Sequence, residues 1–409
     1  MSGALPDQAM IIADEGATRV VARLALGELL AYDTMPRQIH ADTPPQIGDI
    51  YLVRMRSLNH NAYFVDLGGG QSGFLEASAV TPHAIWLGRV QTAQEGACLL
   101  ATVMNIGGDG KQTRLSAKLQ FFAPSMILTV QSPAIIAENS DNLALVENLA
   151  LSRQISPPAR REELRQMLRG LISPQYQILL RTVAAELPSD ALMAEYHQLG
   201  QRATDLVTEA QKKYDNGKIG RIKAGNRLIP QAIENFRAEA QKHAIKSGDV
   251  QKPWPVIVQD GALLSQLKSH YSQEFLANLV EFIAAPAGQN LLTHYGVTEL
   301  YHAARDSRHE IDKAVILIDA RPMAVLIDID RGGNNLSPVA LNLALMPHIR
   351  RLIGVRGLSG LILIDFLRMK SAQDRNKIDA ALRAASPWGQ NWDCHGFTHS
   401  GLYEITVKR

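Results

Sequence analysis

Cysteine is nearly missing: Cys98 and Cys394 are the two in 409 residues. They lie too far apart for a CxxC clip, so neither a disulfide framework nor a structural zinc site is expected, and a reducing compartment is the natural setting. No run approaches the ~18 apolar residues of a membrane span. The opening "MSGALPDQAMIIADEG" also lacks the basic-then-apolar order of a signal peptide. A soluble, cytoplasmic chain without a membrane partner is the expectation. Charge of one sign is scarce too: a formal +2 with a pI near 8.4 permits a nucleic-acid partner but does not argue for one. Internal repeats and low-complexity tracts are absent. What is present is 46% hydrophobic residues over a length suited to several domains with real cores.

The pattern of those residues changes along the chain. "AMIIADEG" and "TRVVARLALGELLAYD" predict two strands before a break at Pro44 and Pro45. Five short strands follow at close spacing: "GDIYLVRMRSL", "NAYFVDLGG", "QSGFLEAS", "ACLLATVMNIGG" and "KQTRLSAKL". With glycine turns between them they fit a small closed barrel of the OB type. The next module mixes strand ("QYQILLRTVA") with helix ("ARREELRQMLRGL", begun by Ser156 and two prolines). Between Ala210 and Pro255 the charge and glycine of "KKYDNGKIGRIKAGNR" suggest a connector or an exposed basic loop, and helical periodicity is expected from Ala262 to Leu292.

The last hundred residues alternate apolar and helical runs, as an α/β unit does. "MAVLID" and "LILID" are near-continuous apolar strands, expected to be parallel and covered on both faces. Between them Ser337 can cap a helix with Pro338 in its first turn, and Gly354 or Gly357 can end it. A right-handed crossover then places Asp328 and Asp365 side by side at the carboxyl ends of neighbouring strands, where ligands bind in such sheets. Two carboxylates that close repel unless a cation lies between them, and Mg²⁺ is the usual solution. Asp330, two residues on, shares the face of Asp328 and can add a third ligand or orient a water. The alternative is aspartates that only cap turns, as Ser371 and Asp374 do in an ordinary capping box. Spacing leaves both readings open.

"MAVLIDIDRGG", "RGLSGLILIDFLRMK", "DRNKIDAALRAA" and "HGFTHSGLYEITVKR" together resemble the catalytic core of the RNase E/G family of endoribonucleases. On that resemblance Asp328 and Asp365 match the two Mg²⁺-binding aspartates, and the family's asparagine falls on Asp330. The barrel resembles the family's S1-like RNA-binding domain: Phe64 and Phe74 match aromatic positions that contact RNA, and Lys111 matches a basic one. Stacking of splayed bases on aromatic faces beside cations is a physically sound way to hold a single strand. A Phe in an alternating strand is core by default, so Phe74 is the better platform, and Tyr63 must face away from Phe64. "ILLRTVA" resembles the family's 5′-end sensor, where Arg181 and Thr182 match the pair that holds a terminal monophosphate. Arg153 in "LALSRQI" matches a further arginine there, whereas Gln154 replaces a second one.

The architecture implied is an α/β multi-subdomain chain. Residues 1–43 begin an RNase H-like subdomain, 44–120 form the inserted OB-type barrel, and 121–215 form the 5′-sensor module. Residues 216–312 complete the RNase H-like part, and 313–409 are the α/β catalytic subdomain. The implied activity is Mg²⁺-dependent endonucleolytic hydrolysis of single-stranded RNA, in processing or decay, favouring 5′-monophosphorylated ends. The family's Cys-Pro-x-Cys zinc link has no counterpart, so a zinc-linked tetramer is not expected, while a homodimer through another surface stays open. A different class of protein, an RNA binder that no longer cuts, is suggested by the altered sensor and by Arg368 where the family strand is commonly acidic. "DLGGGQSG" precedes a further strand and lacks the following helix that a phosphate-binding loop requires.

Overall fold

A computed structural model describes residues 7–40, 43–59, 61–80, 83–88, 92–106, 112–132, 148–168, 172–225, 228–247, 252–271, 273–286, 288–383 and 391–408. The chain divides into two compact units. One comprises residues 1–38, 228–270 and 278–409; the other comprises 39–227 with 271–277.

The first unit opens with a meander of three strands, β1 (Gln8–Glu15), β2 (Thr18–Ala25) and β3 (Glu28–Pro36), where two were expected. The second expected strand is broken by a tight turn at Leu26 and Gly27, both with positive φ. A β-branched run says nothing about where a two-residue turn will cut it.

The second unit holds the barrel. Its strands are β4 (Ile50–Asn59), β5 (Ala62–Gly68), β6 (Gln71–Glu76), β7 (Trp86–Leu87), β8 (Cys98–Asn105) and β9 (Thr113–Ser116). The order β4-β5-β6-β9-β8 closes through a β4–β8 pairing, so the five strands expected from sequence do form a closed barrel. Its core is Tyr51, Val53, Met55, Val65, Leu67, Leu75, Leu99, Ala101, Val103 and Leu115, the inward half of each alternation. A separate four-stranded sheet contains β10 (Gln120–Phe122), β11 (Met126–Val130), β12 (Leu149–Leu151) and β13 (Tyr176–Leu180) in the order β10-β11-β13-β12. Helix α1 (Pro158–Leu168) links β12 to β13.

Helix α2 (Ser189–Asp215) then runs for 27 residues on a buried stripe of Leu192, Tyr196, Leu199, Ala203, Leu206 and Ala210. The expected basic loop is therefore corrected. The helix takes its first residues, and β14 (Gly220–Lys223) adds to β4 beside the barrel. Charge density suggested exposure, but the apolar stripe and strand pairing decide the structure.

Back in the first unit, helix α3 (Leu228–Ser247) leads to β15 (Trp254–Val258), which pairs in parallel with β1. Helix α4 (Gly261–His270) precedes β16 (Val280–Ala284), a strand that interrupts the helical stretch expected from 262 to 292. The sheet order is β16-β15-β1-β2-β3. After α5 (Val297–Ala304) comes the last sheet: β17 (Arg308–Ile311), β18 (Ala314–Ala320), β19 (Val325–Asp330), β20 (Gly360–Asp365), β21 (Asn391–Phe397) and β22 (Tyr403–Lys408). Its order is β17-β18-β19-β20-β22-β21, with β19 and β20 parallel as expected and joined by α6 (Pro338–Val355). Helix α7 (Ala372–Arg383) follows β20.

Ile316, Ile327, Ile362 and Ile405 meet Leu345, Ile349 and Ile353 of α6 in one hydrophobic cluster that also takes Ile11, Val20 and Leu29 from the amino-terminal strands. The expectation that the last sheet is covered on both faces is corrected here. The burial of β19 alternates strictly, and Leu326 is 46% exposed. The helices fill one side, and the other faces outward. Among the described residues no helix is long and apolar enough to cross a membrane.

Candidate functional site

Asp328 and Asp365 both lie on the open face. Val325, Ile327 and Ile329 of β19 point into the core, which sends Leu326, Asp328 and Asp330 the other way. Asp365 ends β20 in the same sense, exposed after the buried Ile364. In the parallel pairing of the two strands Asp328 and Asp365 are direct register partners. Strands in a sheet lie roughly 4.8 Å apart, so the two carboxylates leave one surface side by side. The electrostatics record this crowding. The Asp328 carboxyl is pushed above its ordinary value, first by partial desolvation and next by the charge of Asp365, with a smaller push from Asp330.

Several contacts hold the pair in place. Ser337 caps α6 by accepting the Ala340 amide at 3.3 Å, which anchors the crossover that makes the strands parallel. Asn342, fully buried on α6, donates to the Leu367 carbonyl (3.0 Å) and accepts the Leu367 amide (3.1 Å). That fixes the backbone two residues beyond Asp365. Asp330 is on the same face as Asp328, but its carboxylate also accepts the Gly332 amide at 3.0 Å and closes the turn after the strand.

Gly332 has φ +53°, and a Cβ there would sit 2.0 Å from the Lys313 carbonyl oxygen. Gly332→Ala is therefore expected to cost about 1–3 kcal/mol, read as a lower urea midpoint. An unchanged midpoint would mean that the Lys313 turn gives way freely.

A second patch lies on the barrel. Phe64 of β5 and Phe74 of β6 are direct cross-strand partners, both half-exposed, while Tyr63 packs against the barrel core. Facing rings in such a pair sit roughly 4.5–5.5 Å apart at Cβ. Arg114 of β9, exposed, is the register partner of Phe74 on its other side and pairs with Glu76 at 2.6 Å. The sequence reading passed over Arg114, although its place between the inward Thr113 and Leu115 marks it as outward. Lys111 lies outside the described residues.

A third patch is at the ends of β12 and β13, which run parallel with Leu151 opposite Leu180. Their next residues are thus neighbours. Thr182 Oγ1 lies 3.1 Å from Ser152 Oγ and donates to Gln154 Oε1 at 3.3 Å. Arg181 donates to the carbonyls of Ala123 (3.3 Å) and Pro124 (3.2 Å). Arg153 is exposed in the turn after Ser152. Ser152 was not anticipated; its position immediately before Arg153 was the available signal.

A model of the Ribonuclease E/G family matches residues 143–409. Ribonuclease G of Haemophilus influenzae is 23% identical over 394 residues, covering 92% of this chain and 75% of that protein. Ribonuclease G of Salmonella typhimurium is 21% identical over 390 residues (89% and 73%), and ribonuclease E of a Synechocystis strain is 21% identical over 385 (89% and 52%). With the family model spanning well over half of its length, the chain belongs to the ribonuclease E/G family.

Proposed function

We propose that this protein, an endoribonuclease by family, hydrolyses phosphodiester bonds within single-stranded RNA using Mg²⁺ held by Asp328 and Asp365. The observation that carries the reading is the direct register pairing of those two aspartates on an open sheet face. The donor set suits a hard cation. Mg²⁺ takes one or two carboxylates and keeps most of its waters, and among the described residues no group of three or more His, Cys, Asp or Glu side chains forms a fuller cage. A positive ion between the carboxylates would also relieve the repulsion that raises Asp328.

When bound, Mg²⁺ lowers the pKa of a water and neutralises charge on the scissile phosphate. The protein's part is positional. Asp328 and Asp365 hold fixed oxygens on rigid strands, Asn342 keeps β20 in place, and Asp330 can orient a water from the same face. The products would carry 5′-phosphate and 3′-hydroxyl ends. Phe64 and Phe74 would stack splayed bases, with Arg114 beside them on the backbone. Thr182, Arg181 and Arg153 would receive a 5′-terminal monophosphate, which raises the effective concentration of RNA so marked.

The test is cleavage of a fluorescent single-stranded RNA with a 5′-monophosphate or a 5′-hydroxyl, with Mg²⁺ and with EDTA. Cutting that needs Mg²⁺ and is several-fold faster for the monophosphate is expected, and Thr182→Val should erase the difference between the two ends. Salt-sensitive binding without cutting would instead support an RNA-binding protein. For the barrel patch, Phe74→Ala is expected to weaken RNA binding by about 1–3 kcal/mol while leaving the melting temperature nearly unchanged. Equal affinity in a filter-binding titration would remove Phe74 from the RNA path.

A further inference from the structure

The open face beside the aspartates is not polar, as a solvated sheet face normally is. Leu317 is 37% and Leu326 46% exposed. Together with Leu363 and Leu402 they line a cavity of about 370 Å³ that also takes in Asp328 and Asp365. That volume lies at the lower end of the roughly 300–1,000 Å³ typical of small-molecule sites.

The register shows how the cavity is laid out. Leu326 and Leu363 are direct partners, one step back along the strands from the Asp328–Asp365 pair on the same face. Two residues of strand separate the rows by roughly 6–7 Å. Asp319 is the partner of Leu326 on the other side and lines the cavity as well. A flat apolar floor thus adjoins the carboxylates, bounded at one side by an acceptor-only group. Adjoining exposed leucines gain by covering an apolar solute face.

We propose that this cavity seats the nucleobase adjoining the scissile phosphate, with Leu326 and Leu363 as its floor and Asp319 reading its edge. The proposal rests on the endoribonuclease reading above. The occupant follows from continuity: a phosphodiester held at Asp328 and Asp365 carries its own base, and the cavity begins where the carboxylates end. A carboxylate accepts but does not donate. Asp319, paired with Arg321 at 2.9 Å, therefore favours a base with an exocyclic amine, adenine, cytosine or guanine, over uracil.

The experiment uses the whole protein and RNAs carrying adenine, cytosine, uracil or an abasic sugar at each of the two nucleotides flanking a mapped cut. An abasic sugar on one side is expected to lower kcat/KM about tenfold or more. Leu326→Ser should impose a similar loss on the intact RNA and almost none beyond it on the abasic RNA. Asp319→Asn should narrow the preference for adenine over uracil. Losses that multiply, or a Leu326→Ser enzyme that cuts like the wild type, would overturn the assignment. So would a Leu326→Ser protein altered only in its sedimentation, which would make the face a contact between copies. If the wild type does not cut at all, the endoribonuclease reading itself fails. The cavity is then probed separately by 2-aminopurine scanned along RNA bound to Asp328→Asn protein. A fluorescence change that Leu326→Ser abolishes supports base seating, and no such dependence refutes it.

Discussion

Asp365→Asn is expected to lose cleavage by at least about 10³-fold while melting no lower than the wild type. The loss follows from the value of a polarised phosphoryl oxygen, several kcal/mol, at 1.36 kcal/mol per decade of rate. The unchanged or raised melting temperature follows from the register. Asp328 and Asp365 face each other on adjacent strands, and the charge of Asp365 is among the causes that push the Asp328 carboxyl up. An amide at position 365 keeps the shape and removes that repulsion. In EDTA the variant should therefore match or exceed the wild type in thermal stability, and added Mg²⁺ should stabilise the wild type more than the variant. Residual cutting near the wild-type rate would sink the metal assignment. A sharp drop in melting temperature would instead show that Asp365 serves the fold.

Asp49→Ala should unfold the second unit at markedly lower urea, at a cost of about 3–5 kcal/mol, the usual range for removing one partner of a buried ion pair. Asp49 is 0% exposed. It accepts from the Arg221 guanidinium at 2.8 Å, from the Gly225 amide at 2.6 Å and from the Gln46 amide at 2.9 Å. Arg221 in turn donates to the carbonyls of His40 (2.7 Å), Thr43 (2.6 Å) and Pro44 (3.0 Å) and lies over the Tyr51 ring. The aspartate thus binds both sides of the β14–β4 junction, where Gly225 approaches so closely that a Cβ would meet the Gly48 carbonyl carbon at 1.9 Å. Without the carboxylate, a buried cation loses its counter-ion and two amides lose their acceptor together. A midpoint within the error of the wild type would mean that water replaces the carboxylate at no cost.

Some of these features are legible in the sequence and others are not. The aspartates could be read because each ends an apolar run, and a crossover helix with a readable cap, Ser337, lies between the runs. The barrel could be read because its strands alternate cleanly between glycine turns. Phe64 shows the limit of such reading: alternation placed it opposite Tyr63, but an aromatic in a strand is core by default, and only the closed barrel shows which half faces inward. The strand β14 and the end of α2 were misread because "KKYDNGKIGRIK" has the composition of a loop, while its structure depends on the distant partners β4 and Asp49. The open face of the last sheet was hidden for a related reason. A run such as "VLIDID" says that one side is buried and leaves the other side to the helices, whose placement is not local.

The pairing of β1 with β15 sets the order of assembly during synthesis. Residues 39–227 form the bulk of one unit as a continuous stretch, so most of that unit can close as soon as it leaves the ribosome. Strands β1 to β3 emerge earlier, yet the edge of β1 stays unpaired until Trp254–Val258 is made. At about 5–20 residues per second that wait lasts on the order of 10–50 s. Their hydrophobic cluster must wait longer still, for Leu345 and Ile353 of α6. Strands β1 to β3 are thus made well before they can be folded, and over that interval they present an open apolar strand edge for chaperones to shield.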